Sequence, residues 1–476
     1  MADCDTGSFV LGIDIGTTSI KVSLVRNGTK DVIESFRLDT EANNHDKESN
    51  FAEQDVAKIF ACLQHVLSQF SLHFLAKVAR IGICGQMHGC VMWNGESCSV
   101  SSEGHHFIRS DDVSHLITWE DGRCNNDFLS TLPPTRSHIP ISTGFGCASI
   151  FWLQRNDPSF LERFDCAGTI MDYFVCVFCE MRKPCMSSHN AVSWGYFDVS
   201  NMAWELDILK EANFPTQLLP VVVEPGTMVG KLQRSLYGIP VGTPVGVGLG
   251  DFQCSVLASR SQESDAVLNI GTSCQLAVVV PANTSTVAAG KSSYQSSEMP
   301  SKAITILPFF QGQKVMTAAS LSGGNVLATF VKMLTSWMKD LGLEESLPSK
   351  DDIYSRILAC ADERASTSLQ VVPTLWGERH TSDQRGQVNN LTSGNISLGD
   401  VGLALFKGVI ENIKEMMTQD FLHLHDVRQI VGAGSALKRN RVLQKQVEQV
   451  FELPLVLNEN ADASVGAAIA TLLERN

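Results

Sequence analysis

Apolar runs broken by glycine-rich turns organise the chain, and one such pattern occurs twice. Ile13-Asp14-Ile15-Gly16-Thr17-Thr18-Ser19-Ile20-Lys21-Val22-Ser23-Leu24-Val25 returns 255 positions on, without gaps, as Leu268-Asn269-Ile270-Gly271-Thr272-Ser273-Cys274-Gln275-Leu276-Ala277-Val278-Val279-Val280. In each copy an apolar strand enters a Gly-Thr-Thr/Ser turn and a second apolar strand leaves it, the pattern of a β-hairpin. Glycine lets the backbone come close, and turn N–H groups and hydroxyls can donate to phosphate oxygens, so each tip suits a phosphate. Two facing copies could hold a polyphosphate between two domains. The plainer alternative is two hairpins that only turn their sheets.

Between the hairpins, Gln54 to Phe70 carries apolar residues at helical spacing, and Val78-Ala79-Arg80-Ile81-Gly82-Ile83-Cys84-Gly85 reads as a buried strand ending in Gln86-Met87-His88-Gly89. Polar residues just past a strand end are where open α/β sheets bind ligands. Leu116-Ile117-Thr118-Trp119-Glu120-Asp121-Gly122-Arg123 repeats that arrangement, and Gly248-Leu249-Gly250-Asp251 follows a Gly/Pro-punctuated run. The polar segment Arg260 to Asp265 marks a domain boundary, which gives domains over 1–259 and 260–476. In the second, Ser320-Leu321-Ser322-Gly323-Gly324-Asn325 leads into a helix over Val326 to Leu341, and one long helix is predicted from Leu398 to His423. Ile430-Val431-Gly432-Ala433-Gly434-Ser435 is a strand with a glycine turn, Arg441 to Phe451 is helical, and Ala461 to Ala470 is a closing helix of small residues suited to close packing.

Composition narrows the function. The chain has 476 residues, 44% hydrophobic and 18% charged, enough for two sizeable cores. Its formal charge of −14 without a basic stripe argues against nucleic acid as a partner. A short polar, acidic start and the absence of a membrane-length apolar run lead us to expect a soluble, cytoplasmic protein. The 14 cysteines are irregularly spaced, as expected of free thiols in a reducing compartment rather than a disulfide framework. Cys176-x-x-Cys179 with Cys185 and His189 is the one metal-like cluster, but it falls in an apolar stretch that reads as a buried helix.

Taken together, the motifs from Leu11-Gly12-Ile13-Asp14-Ile15-Gly16-Thr17-Thr18 to Ala461-Asp462-Ala463-Ser464-Val465-Gly466 resemble the FGGY carbohydrate kinases. Within that family, Gln86-Met87-His88-Gly89 and Trp119-Glu120-Asp121-Gly122-Arg123 are similar to the pentulose-kinase branch rather than to glycerol kinase. The resemblance implies an α/β fold of two actin-like, ribonuclease H-like domains around a central cleft, with ATP and Mg²⁺ as cofactors. The implied reaction is transfer of the γ-phosphoryl group to the terminal hydroxyl of a ketose, sedoheptulose first and xylulose as the alternative.

Residue by residue, the resemblance implies the following site. Asp14 is the magnesium partner, through water, since Mg²⁺ keeps much of its hydration shell. Gly16, Thr17 and Thr18 cradle the terminal phosphate, and Gly271 and Thr272 the middle one. Asp251, in its Gly-x-Gly-Asp context, is the catalytic base that takes the hydroxyl proton. Gln86, Met87, His88, Asp121 and Arg123 line the sugar site, with Asp251 also touching the substrate. Gly324, Gly434, Ser435 and Asn440 belong to the nucleotide side, where Leu437-Lys438-Arg439 lengthens the turn before Asn440 relative to the family pattern. Lys21 either reaches phosphate or is a solvated strand lysine, and Gly377-Glu378-Arg379 matches a family motif without an assigned contact. A rival from another class, an actin- or Hsp70-like ATP switch that binds protein, has no need of Gln86-Met87-His88 or Gly248-Leu249-Gly250-Asp251. Oligomeric state is not legible.

Overall fold

The protein is described by a computed structural model over residues 7–45, 50–98, 108, 110–282, 302–381, 383–458 and 462–473. It divides into two compact units, one of Met1–Ala258, Leu307–Gln313 and Asn460–Asn476, the other of Ser259–Ile306 and Lys314–Glu459.

In the first unit, Phe9–Ile15, Ser19–Arg26 and Val32–Asp39 form an antiparallel meander, and Val78–Gly85 lies parallel to Phe9–Ile15 on its other side. Pro244–Gly246 and Met228–Lys231 extend the sheet, and the short strand Leu249–Gly250 pairs with the end of Val78–Gly85. The near-continuous apolar strands explain this centre: Phe9, Leu11, Ile13, Ile83 and Val22 are fully buried against the helices Val56–Leu67 and Ile170–Cys179.

The sequence reading assigned the closing helix to 260–476, whereas Ala463–Ala470 lies in the first unit. Small residues explain the difference, because they bring helix and sheet into backbone contact. A Cβ on Gly12 would lie 1.8 Å from the Ser464 carbonyl oxygen, and one on Gly82 would lie 2.0 Å from that of Ala467. The contact is completed from the helix side, where a Cβ on Gly466 would meet the Cys254 oxygen at 1.9 Å.

The second unit repeats the plan: Asp265–Ile270 and Cys274–Val280 form a hairpin, Lys314–Ser320 adds antiparallel to it, and Gln429–Ala433 lies parallel on the far side. Leu455–Leu457 and Ile304–Pro308 flank the order. The two hairpins are not in the gapless register that the sequence suggests. Ile15 pairs with Ile20, leaving Gly16–Ser19 as the connection, while Ile270 pairs with Cys274 and leaves only Gly271–Ser273. The second turn is one residue shorter, so Lys21, which faces Asp14, corresponds to Gln275 facing Asn269 rather than to Leu276.

The expected helix over 398–423 is two helices, Leu398–Met416 and Gln419–Leu424, because Thr418 caps the second by accepting from the Phe421 N–H. Helix Arg441–Phe451 ends as read, with Asn440 as its N-cap. Cys176 and Cys179 are buried on the helix Ile170–Cys179, and His189 packs edge-on against Phe310 at 4.8 Å, with burial pushing its pKa down to about 3. Among the described residues no cluster of three or more His, Cys, Asp or Glu is arranged to hold a metal, and no helix is long and apolar enough to cross a membrane.

Candidate active site

One strand end gathers the acidic groups of the first unit. Val78–Gly85 is paired in parallel on both sides: Asp14 stands opposite Cys84 on one neighbour, and Leu249 and Gly250 stand opposite Cys84 and Gly85 on the other. Asp14 and Asp251 therefore emerge on either side of the strand that delivers Gln86. Gly250 packs against two side chains: a Cβ there would lie 2.4 Å from Gln253 Oε1 and 2.8 Å from the Met87 sulfur, so those side chains would have to shift. The turn is pinned at Gly248, whose carbonyl accepts from Ser187 Oγ at 2.6 Å and Asn190 Nδ2 at 3.1 Å.

Asp251 opens the helix Asp251–Ser259, and its Oδ1 accepts from the Phe252 N–H at 2.7 Å. Burial outweighs that bond and pushes the Asp251 pKa up to about 6. Burial also holds Asp14 well above the ordinary carboxylate range, with the charges of Asp251 and Asp462 adding to it and Cys84 and Lys21 opposing. Lys21 Nζ meets Asp462 Oδ2 at 2.5 Å, so this lysine is tied to the cap of the closing helix rather than solvated on its strand. Asp14 thus lies in the field of two further carboxylates opposed by Lys21, and a single hard oxygen donor of this kind fits a divalent cation that keeps most of its water rather than one caged by several protein ligands.

The residues expected on the sugar side divide into two groups. Gln86 is buried, its Nε2 donates to Gln54 Oε1 at 2.9 Å, and its Oε1 has no hydrogen-bond partner among the described residues. His88 has φ of 75°, accommodated because its ring stacks on Phe145 at 4.8 Å and its Nδ1 lies 3.0 Å from the Ser193 carbonyl oxygen. Asp121 and Arg123, by contrast, are engaged chiefly with each other and with their neighbours. Arg123 Nε meets Asp121 Oδ1 at 2.7 Å and its Nη2 meets Asp121 Oδ2 at 3.0 Å and Glu53 Oε1 at 2.5 Å, while Asp121 also accepts the Ala52 and Arg123 N–H groups. The guanidinium lies over Phe51 at 4.3 Å. This buried pair fixes the Phe51–Gln54 wall and the Thr118–Trp119 turn. The half-exposed Trp119 then donates from Nε1 to Thr17 Oγ1 at 3.0 Å.

In the second unit the glycine turns converge. Gly324 N–H donates to the Gly271 carbonyl at 2.8 Å and Asn325 N–H to that of Thr272 at 3.2 Å. Gly434, at φ of 88°, packs so closely that a Cβ would lie 2.4 Å from Asn269 Oδ1 and from the Ile270 oxygen. Leu437-Lys438-Arg439, the lengthened turn, coils into the short helix Ser435–Arg439. That coil brings Asn440 to the wall of a small cavity of about 40 Å³ shared with Ile270, Gly323, Gly324, Phe406 and Ala436. Asn440 Oδ1 is engaged in capping, accepting from the Leu443 N–H at 2.9 Å.

Residues 9–258 match the FGGY family of carbohydrate kinases, N-terminal domain. The whole chain is 42% identical to a sedoheptulokinase of Mus musculus and 41% identical to one of Homo sapiens, in each case over 97% of both chains. The chain belongs to the FGGY family of carbohydrate kinases. A crystal structure of xylulose kinase from Rhodospirillum rubrum aligns with 98% of this chain and 89% of its own at a TM-score of 0.77 and 19% identity, which shows the same fold.

Within this FGGY kinase the structure groups Asp14, Gly16, Thr17, Thr18, Gln86, Met87, His88 and Asp251 in the first unit, and Gly271, Thr272, Gly324, Gly434, Ser435 and Asn440 in the second. Sequence reasoning missed Gln54, Asp462 and Glu378. Gln54 carried one usable signal, its position one residue before the N-cap Asp55 of a helix. Glu378 lay inside a motif with no assigned contact.

Proposed function

We propose that this kinase transfers the γ-phosphoryl group of Mg-ATP to the terminal hydroxyl of sedoheptulose, giving sedoheptulose 7-phosphate and ADP. The observation that carries the reading is the 42% identity to a sedoheptulokinase over 97% of both chains. The Asp251 site supplies chemistry that fits it. As the hydroxyl oxygen bonds to the γ-phosphorus and the bond to the ADP oxygen breaks, the hydroxyl proton passes to the Asp251 carboxylate. A pKa pushed up to about 6 suits a base that is ionised at neutral pH yet accepts a proton readily.

Asp14, with the field of Asp251 and Asp462 around it, would hold Mg²⁺, which supplies charge neutralisation at the phosphate oxygens. The first turn, Gly16-Thr17-Thr18, offers N–H and hydroxyl donors to the terminal phosphate, and Trp119 and Gln54 keep Thr17 in place. Gln86 Oε1, buried and unpaired, is suited to accept from a sugar hydroxyl, since an orphan of this kind costs roughly 1–3 kcal/mol. Met87 and His88 complete that wall, with Asp121 and Arg123 acting through the residues they position. Gly271 and Thr272 take the middle phosphate, and Gly324, Gly434, Ser435 and Asn440 the nucleoside side. The described cysteines are free, which fits a reducing cytoplasm.

The deciding experiment is a panel of sugars with Mg-ATP. A site built to pair hydroxyls penalises a shorter sugar that leaves buried groups unpaired, so sedoheptulose should exceed xylulose, ribulose, glycerol and gluconate in kcat/KM by at least about tenfold. A better rate with xylulose would overturn the substrate and leave the kinase standing.

A further inference from the structure

Glu378 is 1% exposed and has no cation beside it among its hydrogen-bond partners. Its Oε1 accepts from Ser320 Oγ at 2.7 Å and Asn412 Nδ2 at 2.8 Å, and its Oε2 accepts from the Leu321 N–H at 2.9 Å. Burying a carboxylate on neutral donors alone is costly, and it is tolerated where both oxygens are occupied with good geometry. Ser320 and Leu321 stand at the end of strand Lys314–Ser320 and in the loop behind it, and Asn412 reaches them from the helix Leu398–Met416. Asn412 adds a second bond to Ser320 Oγ at 2.9 Å, and Ser322 Oγ donates to the Pro373 carbonyl at 2.8 Å.

The other side of that loop is the Gly271–Thr272 turn. Gly324 and Asn325 donate to the Gly271 and Thr272 carbonyls, and the fit has no slack. A Cβ on Gly323 would lie 2.5 Å from the Ser273 carbonyl carbon, and one on Gly324 would lie 2.7 Å from the Gly271 oxygen. Asn325 stiffens the loop internally, accepting from the Gly323 N–H at 2.9 Å and donating to the Leu321 carbonyl at 2.8 Å. A shift at Leu321 is therefore passed on to the turn.

We propose that Glu378 is a positioning residue for the nucleotide-phosphate turn Gly271-Thr272, acting through the loop Ser320–Asn325. The proposal rests on the nucleotide reading of the second unit. Misplacement of binding groups by about 1 Å can cost on the order of 10²-fold in rate, so a smaller slip should still be measurable.

The test uses the full chain, with ATP and sedoheptulose varied in turn and ADP binding measured by calorimetry. Glu378→Gln keeps the volume but turns one acceptor into a donor that faces another donor. It should raise KM for ATP and Kd for ADP at least about tenfold, the lower end for losing a hydrogen bond to a charged group, with KM for the sugar changed less than about twofold. Ser320→Ala should move ATP and ADP in the same direction and spare the sugar. It decides alone by the same criteria if Glu378→Gln does not fold. Unchanged ATP and ADP affinity, or equal loss for nucleotide and sugar, overturns the proposal. Gly271→Val separates the two layers. If it weakens ATP while Glu378→Gln does not, the positioning role fails and the nucleotide reading stands; if it leaves ATP untouched, both fall.

Discussion

Gln54 donates from Nε2 to the Thr17 carbonyl at 2.5 Å, and its Oε1 accepts from Gln86 Nε2 at 2.9 Å. One buried amide thus joins the turn proposed for the terminal phosphate to the wall proposed for the sugar. Gln54→Leu keeps the bulk and removes both bonds, together with a third from Nε2 to Asn43 Oδ1 at 2.7 Å, leaving Gln86 Nε2 without its partner. At about 1 kcal/mol per neutral bond, kcat/KM for the sugar should fall roughly tenfold or more. Steady-state kinetics checks this, and an unchanged value would show that the link serves folding alone.

Asp251→Asn removes the proposed proton acceptor but little volume. General-base contributions run to ~10²–10⁴, so kcat should fall at least about 10²-fold while the sugar still binds. Calorimetric titration of the sugar into the variant separates the two effects. A near-normal kcat would remove Asp251 from the chemistry.

The raised Asp251 pKa predicts two pH effects with definite signs. Activity needs the ionised carboxylate, so kcat/KM should decline tenfold per unit below a midpoint of about 6. For stability, a carboxyl near 3.9 when unfolded and about 6 when folded binds more protons in the native state between those values. Its stabilising contribution is present below the lower value and is lost as pH rises through the upper one. Asp251→Asn lacks this titration, so its stability relative to wild type should improve from pH 4 to pH 7 in parallel denaturant melts. A constant difference across that range would contradict the assigned shift.

Local pattern carried much of this site, and long-range pairing carried what was missed. The hairpins, the strand Val78–Gly85 and the helix Arg441–Phe451 follow from periodicity and turn chemistry, which are properties of neighbouring residues. The one-residue difference between the two turns was invisible, because Ser19 and Cys274 align in sequence and only the pairing of Ile20 and Cys274 shows the slip. The break at Thr418 was masked because Met416, Met417 and Leu422 are all buried, which keeps the apolar pattern running across it. Asp121 and Arg123 look like ligand contacts in a motif, and only the positions of Ala52 and Glu53 reveal that both Asp121 oxygens and the Nε and Nη2 of Arg123 are already engaged. Lys21 finds Asp462 across 441 positions, a pairing that no window of sequence contains.

That long-range contact makes the closing helix a sensitive point. Gly12 and Gly82 lie on adjacent strands under Ala463–Ala470, and each faces a helix carbonyl at a distance no side chain can share. Gly12→Ala would place a methyl group 1.8 Å from the Ser464 oxygen, so the helix must lift. Overpacking of this kind costs about 1–3 kcal/mol and more where backbone must move. Lifting would also break the Lys21–Asp462 pair and so change the charges that surround Asp14. Gly12→Ala should therefore lower the melting temperature clearly and reduce kcat/KM together. Gly394→Ala is the matched control, since its exposed Cβ would meet nothing closer than Thr392 Oγ1 at 4.0 Å. Thermal melts of the two variants beside wild type decide it: equal melting temperatures would mean that the helix adjusts without strain, and the packing account of the C-terminal segment would fail.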